Sequence, residues 1–192
     1  MVSLEETLED AQSVTLREHL VTIVGRSYDV LVDDEVVGQV TQKLHVTGTD
    51  EFRLSLEDGT YVARIVDTLS IADKMVRPGI KAAVYDADDD VTLRLDQNLV
   101  REKVRNPYSP AVWGTLRTPQ GEVLATITKS GGDDLLLFDL YDGKNKEHLG
   151  SIHQREKWGR HTYAVSGPDK SSLVLVAALL DQLYHHTAGT KW

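Results

Sequence analysis

The sequence predicts a mostly β, α+β fold in which an antiparallel sheet wraps around one apolar helix. Most of the chain consists of short segments in which apolar and polar residues alternate, separated by turns, as amphipathic strands require. Near the C-terminus this alternation gives way to an unbroken apolar run at residues 173–180. A helix that is apolar on every side is normally buried inside protein, and here the sheet is the element available to bury it.

The helix is predicted over residues 171–184. Gly167 and Pro168 interrupt the preceding segment, and the Asp169 side chain can cap the first free N–H groups of a helix. At about 1.5 Å per residue this helix would span roughly 20 Å, whereas a bilayer requires about 20 apolar residues. A central strand, favoured by the β-branched start of the run, and a membrane anchor are the competing interpretations.

The composition limits the classes of protein to which the chain can belong. Its 192 residues are enough for one domain with a substantial core. It has no cysteine, which excludes disulfides, thiolate metal sites and cysteine catalysis. The formal net charge of −9 argues against nucleic acid as a partner. The N-terminus lacks the basic and apolar stretches of a secretory signal, so we expect a cytoplasmic protein without a transmembrane segment.

Two regions are predicted along the chain. Residues 1–19 form an acidic N-terminal segment in which Ser3 and Glu6 match a capping box for a short helix, with an acidic tail as the alternative. Residues 20–192 form a single barrel domain with two related halves, at about 20–104 and 105–192. The predicted strands and hairpins lie at residues 28–32, 36–44, 52–56, 61–66, 84–95, 112–117, 122–128, 135–140, 148–153 and 158–165.

An internal repeat supports the division into halves. In four of the predicted hairpins, the second strand contains the same four-residue pattern, or tetrad: an apolar residue, a small residue, any residue and an apolar residue. The first two tetrads start 25 positions apart, as do the last two, and 87 positions separate corresponding tetrads. In a closed sheet, an inward Gly or Ala leaves room for a bulky object, which here would be the helix. The tetrads begin at Val37, Val62, Leu124 and Leu149.

These patterns resemble the tubby-like superfamily, most closely its LURP-one-related branch, which has relatives among the phospholipid scramblases. The resemblance rests on Asp58-Gly59-x-x-Val62-Ala63-x-Ile65, on Gly121-x-x-Leu124-Ala125-x-Ile127 and on the helix from Pro168-Asp169 to Leu183. It implies a closed antiparallel barrel of about 12 strands around a buried hydrophobic C-terminal helix. It implies a fold and not an activity, because the superfamily includes phosphoinositide-binding tubby domains and proteins implicated in lipid movement. The proline-rich tail and acylated cysteines of the scramblases are missing, and the lipid-binding basic residues of tubby match no particular positions here.

The strongest candidate for a ligand-binding site is the basic stretch at residues 153–161. Arginine and lysine outnumber the single glutamate there, and a tryptophan can lie at the level of lipid headgroups or stack on a base. The resemblance favours an anionic lipid headgroup as the ligand, and a solvated strand face with ordinary salt bridges is the alternative. The candidate residues are Arg155, Lys157, Trp158, Arg160 and His161, and a second basic stretch offers Arg101, Lys103 and Arg105.

Other chemistry is not expected. The acidic residues 86–90 are interpreted as a hairpin turn, because an EF-hand would place Gly and Glu where Val91 and Gln97 stand, although a weak cation site stays open. His148 and His153 are five positions apart, which on a regular strand places them on opposite faces, so no metal site is predicted. No nucleophile, phosphate-loop or dinucleotide motif is present, so we predict neither an enzyme nor a cofactor.

The function predicted from the sequence is therefore that of a non-catalytic binding domain. Its expected ligand is an anionic, phosphoinositide-like lipid headgroup or another anion, which would place a cytoplasmic protein at the periphery of a membrane. The alternative is a protein–protein interaction scaffold without a small ligand. The oligomeric state stays open.

Overall fold

The computed structural model describes residues 7–8, 10–19, 25–44, 50–69, 80–97, 112–130, 135–157 and 160–186. These residues form a closed antiparallel barrel of 12 strands around one C-terminal helix, as the resemblance implies. Each strand pairs with its neighbours in sequence, and β1 pairs with β12 to close the barrel. The strands are β1 Val14–Glu18, β2 Ser27–Val32, β3 Glu35–Leu44, β4 Asp50–Leu56, β5 Tyr61–Asp67, β6 Lys81–Tyr85, β7 Val91–Gln97, β8 Val112–Arg117, β9 Val123–Ser130, β10 Leu137–Asp142, β11 His148–Lys157 and β12 Arg160–Ser166.

Helix α1, Lys170–Asp181, fills the barrel, and every one of its residues is buried. Asp169 caps it as predicted, because its carboxylate accepts a hydrogen bond from the Ser172 backbone N–H at 3.1 Å. The α-helix ends three residues before the predicted end at 184, and the chain continues as one π-helical turn, Gln182–His186. Within the described residues, no helix has both the length and the apolarity that crossing a bilayer requires.

A β-bulge gives the repeated tetrad its structural role. In each of four hairpins the first tetrad residue is the extra one, left without a partner in the ladder, and the next residue pairs opposite an inward apolar side chain. The bulge bends the strand and increases its twist, which favours closure of the sheet. The four extra residues are Val37, Val62, Leu124 and Leu149.

The small tetrad residues are buried, as predicted, at Gly38, Ala63, Ala125 and Gly150. At Gly150, however, the neighbour is not the helix. A Cβ atom there would lie 2.2 Å from the Ser166 carbonyl oxygen and 2.5 Å from the Gly167 Cα. Gly150 therefore makes room for the main chain that leads into the helix.

The barrel begins earlier in the chain than the predicted boundary at residue 20. Strand β1 lies within residues 1–19, which the sequence analysis assigned to an N-terminal segment outside the barrel. Its buried Val14 and Leu16 face the interior. Leu8, in a helical turn before it, is also buried. The β pattern does begin at Val14 in the sequence, but it does not show that this segment belongs to the barrel, because one of the partners of β1 is β12, about 145 positions away. Ser3, Glu6 and the boundary between the two halves lie outside the described residues.

Candidate functional site

The predicted basic stretch occupies the ends of β11 and β12, where the two strands pair. Arg155 pairs with Thr162, and Lys157 pairs with Arg160. The side chains of Arg155 and Arg160 are exposed and lie on the outer face, since they alternate with residues that are buried in the barrel. Arg155 and Arg160 are diagonal neighbours across the ladder, so their backbone positions are about 7–8 Å apart.

The other predicted residues are placed differently. His161 lies on the inner face of β12 and contacts the end of the helix. The Lys157 side chain and all of Trp158 lie outside the described part of the chain, as do Arg101, Lys103 and Arg105. The structure thus brings Arg155 and Arg160 together and separates His161 from them.

Barrel closure adds two residues that the sequence analysis missed. Arg17 on β1 pairs with Thr162, so it stands in the same outer row as Arg155, about 10 Å away at the usual spacing of strands. His19 follows two positions later on the same side of β1. Their side chains are 39% and 35% exposed. We call this group, formed by Arg17, His19, Arg155 and Arg160, the seam face.

The seam face carries surplus positive charge. Asp29 on β2 accepts hydrogen bonds from Arg17 at 2.8 Å and pairs with His19 at 2.5 Å. Partial burial would raise the pKa of Asp29, but the hydrogen bonds from Arg17 and His19 outweigh burial and lower it. Among the described residues, no carboxylate pairs with Arg155 or Arg160. These two guanidinium groups are therefore available to an anion.

A second polar group lies inside the same end of the barrel, at the terminus of the helix. The fully buried Asp181 carboxylate accepts hydrogen bonds from the hydroxyls of Tyr28 at 2.7 Å and Tyr163 at 2.6 Å. It also contacts His161 Nδ1 at 2.7 Å. Glu18 on β1 completes the group, at 3.4 Å from the same nitrogen. We call Glu18, His161 and Asp181 the seam cluster.

Contacts in the seam cluster shift the ionisation of its members. The contact with Asp181 raises the pKa of His161 and outweighs partial burial, which lowers it. Burial alone would raise the pKa of Asp181, but the contacts with His161, Tyr163 and Tyr28 outweigh burial, so the pKa lies below its ordinary value. Burial, together with the Asp181 charge, raises the pKa of both tyrosines. In this arrangement Asp181 is ionised and the tyrosines donate to it.

A further pair of arginines lies on β4 and β5, four and five strands from β12 around the barrel. Arg53 and Arg64 are cross-strand partners on β4 and β5, and they line a surface pocket of about 280 Å³. Arg53 pairs with Glu51 at 2.5 Å, and Arg64 pairs with Asp89 at 3.1 Å. Because both arginines already have carboxylate partners, this pocket offers less free positive charge than the seam face.

Residues 86–90 form the predicted acidic turn between β6 and β7. The Asp86 carboxylate accepts hydrogen bonds from the backbone N–H groups of Asp88 and Asp90, both at 3.0 Å. Asp89 reaches across to Arg64. The turn is thus held by its own backbone contacts and by one arginine.

The expectation that His148 and His153 lie on opposite faces is wrong. The bulge at Leu149 shifts the register by one residue, so both side chains reach the outer face. Their Nε2 atoms approach the same oxygen of Asp139, at 3.7 Å and 2.9 Å.

The comparison with solved structures finds an X-ray structure of a protein from Arabidopsis thaliana, AT5G01750. The TM-score is 0.58 at 10% sequence identity, and the match covers 95% of this chain and 99% of the Arabidopsis chain. At this identity the likeness shows a shared fold. No protein-family model and no curated protein matches the chain.

Proposed function

We propose that the protein is a non-catalytic binding domain whose seam face binds an anionic, phosphoinositide-like headgroup at a membrane surface. The observation that carries this proposal is the pair of exposed guanidinium groups, Arg155 and Arg160, which find no acidic partner among the described residues. Arginine suits such a ligand because its planar donors match the oxygens of a phosphate group.

The net charge of −9 restricts how the domain can approach an anionic membrane. Exposed charges are screened beyond about 8 Å at physiological ionic strength, so a local basic face can bind while the remaining acidic surface stays further away. The protein would then be peripheral, held through one edge of the barrel.

We also propose that the chain belongs to the LURP-one-related branch of the tubby-like superfamily. Two observations support this assignment. The tetrads that suggested the resemblance form the bulges of the barrel, and the Arabidopsis structure shares the fold over nearly its whole length. The phosphoinositide-binding members of the superfamily make a lipid headgroup the first ligand to test.

The test is co-sedimentation with phosphatidylcholine vesicles that do or do not contain a phosphoinositide. The variant Arg155→Ala with Arg160→Ala should weaken binding about 30-fold, at roughly 1 kcal/mol for each basic residue lost near the surface. The matched control is Lys81→Ala with Arg94→Ala, which removes two exposed charges from β6 and β7 on the far side of the barrel. This control should bind nearly as well as the wild type.

Equal binding by both double variants would contradict the proposed site. A separate titration with a soluble inositol phosphate shows whether the protein recognises the headgroup itself or only a charged lipid surface. Saturable binding in solution indicates recognition of the headgroup itself, whereas binding to vesicles alone indicates a charged lipid surface.

The second candidate is a protein-interaction scaffold. Large apolar side chains are exposed on the wall around β8 to β10, at Val112, Leu124 and Leu135. A partner that is retained at high salt and in the Arg155→Ala, Arg160→Ala variant would favour this function, because apolar contacts do not weaken as salt screens charges.

A further inference from the structure

The seam cluster brings together the side chains that a divalent metal ion uses as ligands. Glu18 ends β1, His161 lies on β12, and Asp181 ends helix α1. One ligand atom from each lies within 4.8 Å of the other two. His161 Nδ1 stands 2.7 Å from an Asp181 oxygen and 3.4 Å from a Glu18 oxygen. Small movements would bring all three atoms to the bonding distance of about 2.0–2.2 Å from a shared ion.

The surroundings of Asp181 resemble the support that metal-binding carboxylates receive in proteins. The Tyr28 and Tyr163 hydroxyls both donate to this carboxylate, one to each oxygen, and so fix its orientation. Hydrogen bonds of this kind hold a ligand in place, and losing one typically costs 10–100-fold in metal affinity.

A cationic side chain already lies at this position. Two carboxylates lie close together at one end of the barrel, and the Arg26 guanidinium stands between them, in an ion pair with Glu18 and 3.7 Å from Asp181. Its side chain is 21% exposed, so Arg26 lies at the edge of the cluster with a path to solvent. A metal ion could take its place while Arg26 turns outward.

We propose that Glu18, His161 and Asp181 form a binding site for a divalent first-row transition metal ion. One imidazole nitrogen and two carboxylate oxygens suit Zn²⁺, Mn²⁺ or Fe²⁺, and water would complete the coordination. The ion would join the first strand, the last strand and the helix. The sequence predicted no metal site, since the three ligands, at positions 18, 161 and 181, lie together only once β1, β12 and helix α1 have assembled.

The site is tested by titrating chelator-treated protein with Zn²⁺ in a calorimeter, without lipid. We expect one ion per chain, at least 10-fold weaker binding for Glu18→Gln, and loss of binding for His161→Ala. Arg26→Gln should bind more tightly, since it removes the competing cation. Addition of Zn²⁺ should also raise the melting temperature of the wild type, because the ion binds only the folded chain. The control is His148→Ala with His153→Ala, which removes the outer histidines near Asp139 and should leave binding unchanged.

Three results would overturn the proposal: no binding by the wild type, binding that Glu18→Gln leaves intact, or binding that only the outer-histidine control removes. The first would mean that the seam cluster is an ion-paired structural group only. Circular dichroism must show that His161→Ala is folded, and the isosteric Glu18→Gln variant gives the answer if it is not. Because no lipid is present, the outcome is independent of the proposed headgroup site.

Discussion

Asp29 sets how much positive charge the seam face presents. Its carboxylate holds both Arg17 and His19, so these two residues contribute less to the surface potential than Arg155 and Arg160 do. Replacing the carboxylate by an amide keeps the shape of the side chain but removes its charge.

We predict that Asp29→Asn strengthens binding to phosphoinositide vesicles by about 5-fold, on the basis of roughly 1 kcal/mol for one unit of charge near an anionic surface. Co-sedimentation measures the effect, and added salt should reduce it. An unchanged affinity would mean that Arg17 and His19 lie outside the binding site. Asp139→Asn, a similar change on β10, is the matched control and should leave binding as it is.

The ion pairs of Asp29 should also make the stability of the wild type depend on pH, and Asp29→Asn measures this contribution. The pKa of Asp29 is lowered below the unfolded value of 3.8, so its ion pairs stabilise the folded state above that pH and are lost as the pH falls through the folded pKa. At pH 7 the wild type should be more stable than Asp29→Asn by up to about 1 kcal/mol, and the difference should shrink as the pH falls through the lowered pKa of Asp29. Urea unfolding at pH 7 and over a series of acidic pH values measures it, and a constant difference would contradict it.

At the residue scale, sequence reasoning succeeds where the cause is local. The Asp169 cap could be predicted because it depends on a few adjacent residues. The positions of Arg17 and Glu18 beside β12 could not be predicted, because their partners on that strand are more than 140 positions away. His148 was misplaced because a bulge of one residue reverses every later side-chain direction on the strand.

At the scale of elements, helix α1 is the largest single contribution to the core. The residues at 173–180 are at most 2% exposed. Their burial contributes on the order of 10–20 kcal/mol by area, which is an upper limit because the unfolded chain also hides some apolar surface. The helix is recognisable in the sequence because its apolar residues are consecutive at 173–180, whereas in the strands apolar and polar residues alternate.

We predict that Leu179→Asp prevents folding, because it places an unpaired charge inside the barrel. Expression followed by separation of soluble and insoluble protein tests this. The control Val112→Asp puts the same charge on a side chain that is 48% exposed and should fold. A folded, stable Leu179→Asp variant would mean that the helix is not essential to the core.

The tetrads were visible as a repeat, but their role as bulges was not. A bulge appears only when a strand is set beside its partner, since the extra residue is defined by what it fails to pair with. For the same reason, the sequence could indicate that Gly150 needs space but not that Ser166 and Gly167 fill it.

At the scale of the molecule, closure depends on one strand. Strand β1 joins β2 to β12, and without it both neighbours would present unpaired edges. The successive hairpins predicted an antiparallel sheet around the helix, and the resemblance implied its closure, but neither could show which segment completes the ring, since no turn connects β1 to β12.

We predict that deletion of residues 1–18 yields protein that aggregates, because the open edges of β2 and β12 can pair with other chains. Size-exclusion chromatography measures the outcome. A full-length Thr15→Ala variant, which keeps the strand and changes one partly exposed side chain, should elute like the wild type. A monomeric truncated protein with cooperative unfolding would contradict the importance of β1.

The position of helix α1 in the chain has a consequence for biosynthesis. The strands emerge from the ribosome before the helix that fills them, and the contact between Tyr28 and Asp181 spans 153 positions. Successive hairpins can form during translation, but they enclose no helix until residues 170–181 are available. The nascent chain must therefore keep a growing apolar sheet from aggregating until the helix has emerged, so we expect it to depend on chaperones more than a domain of this size that folds from its N-terminus.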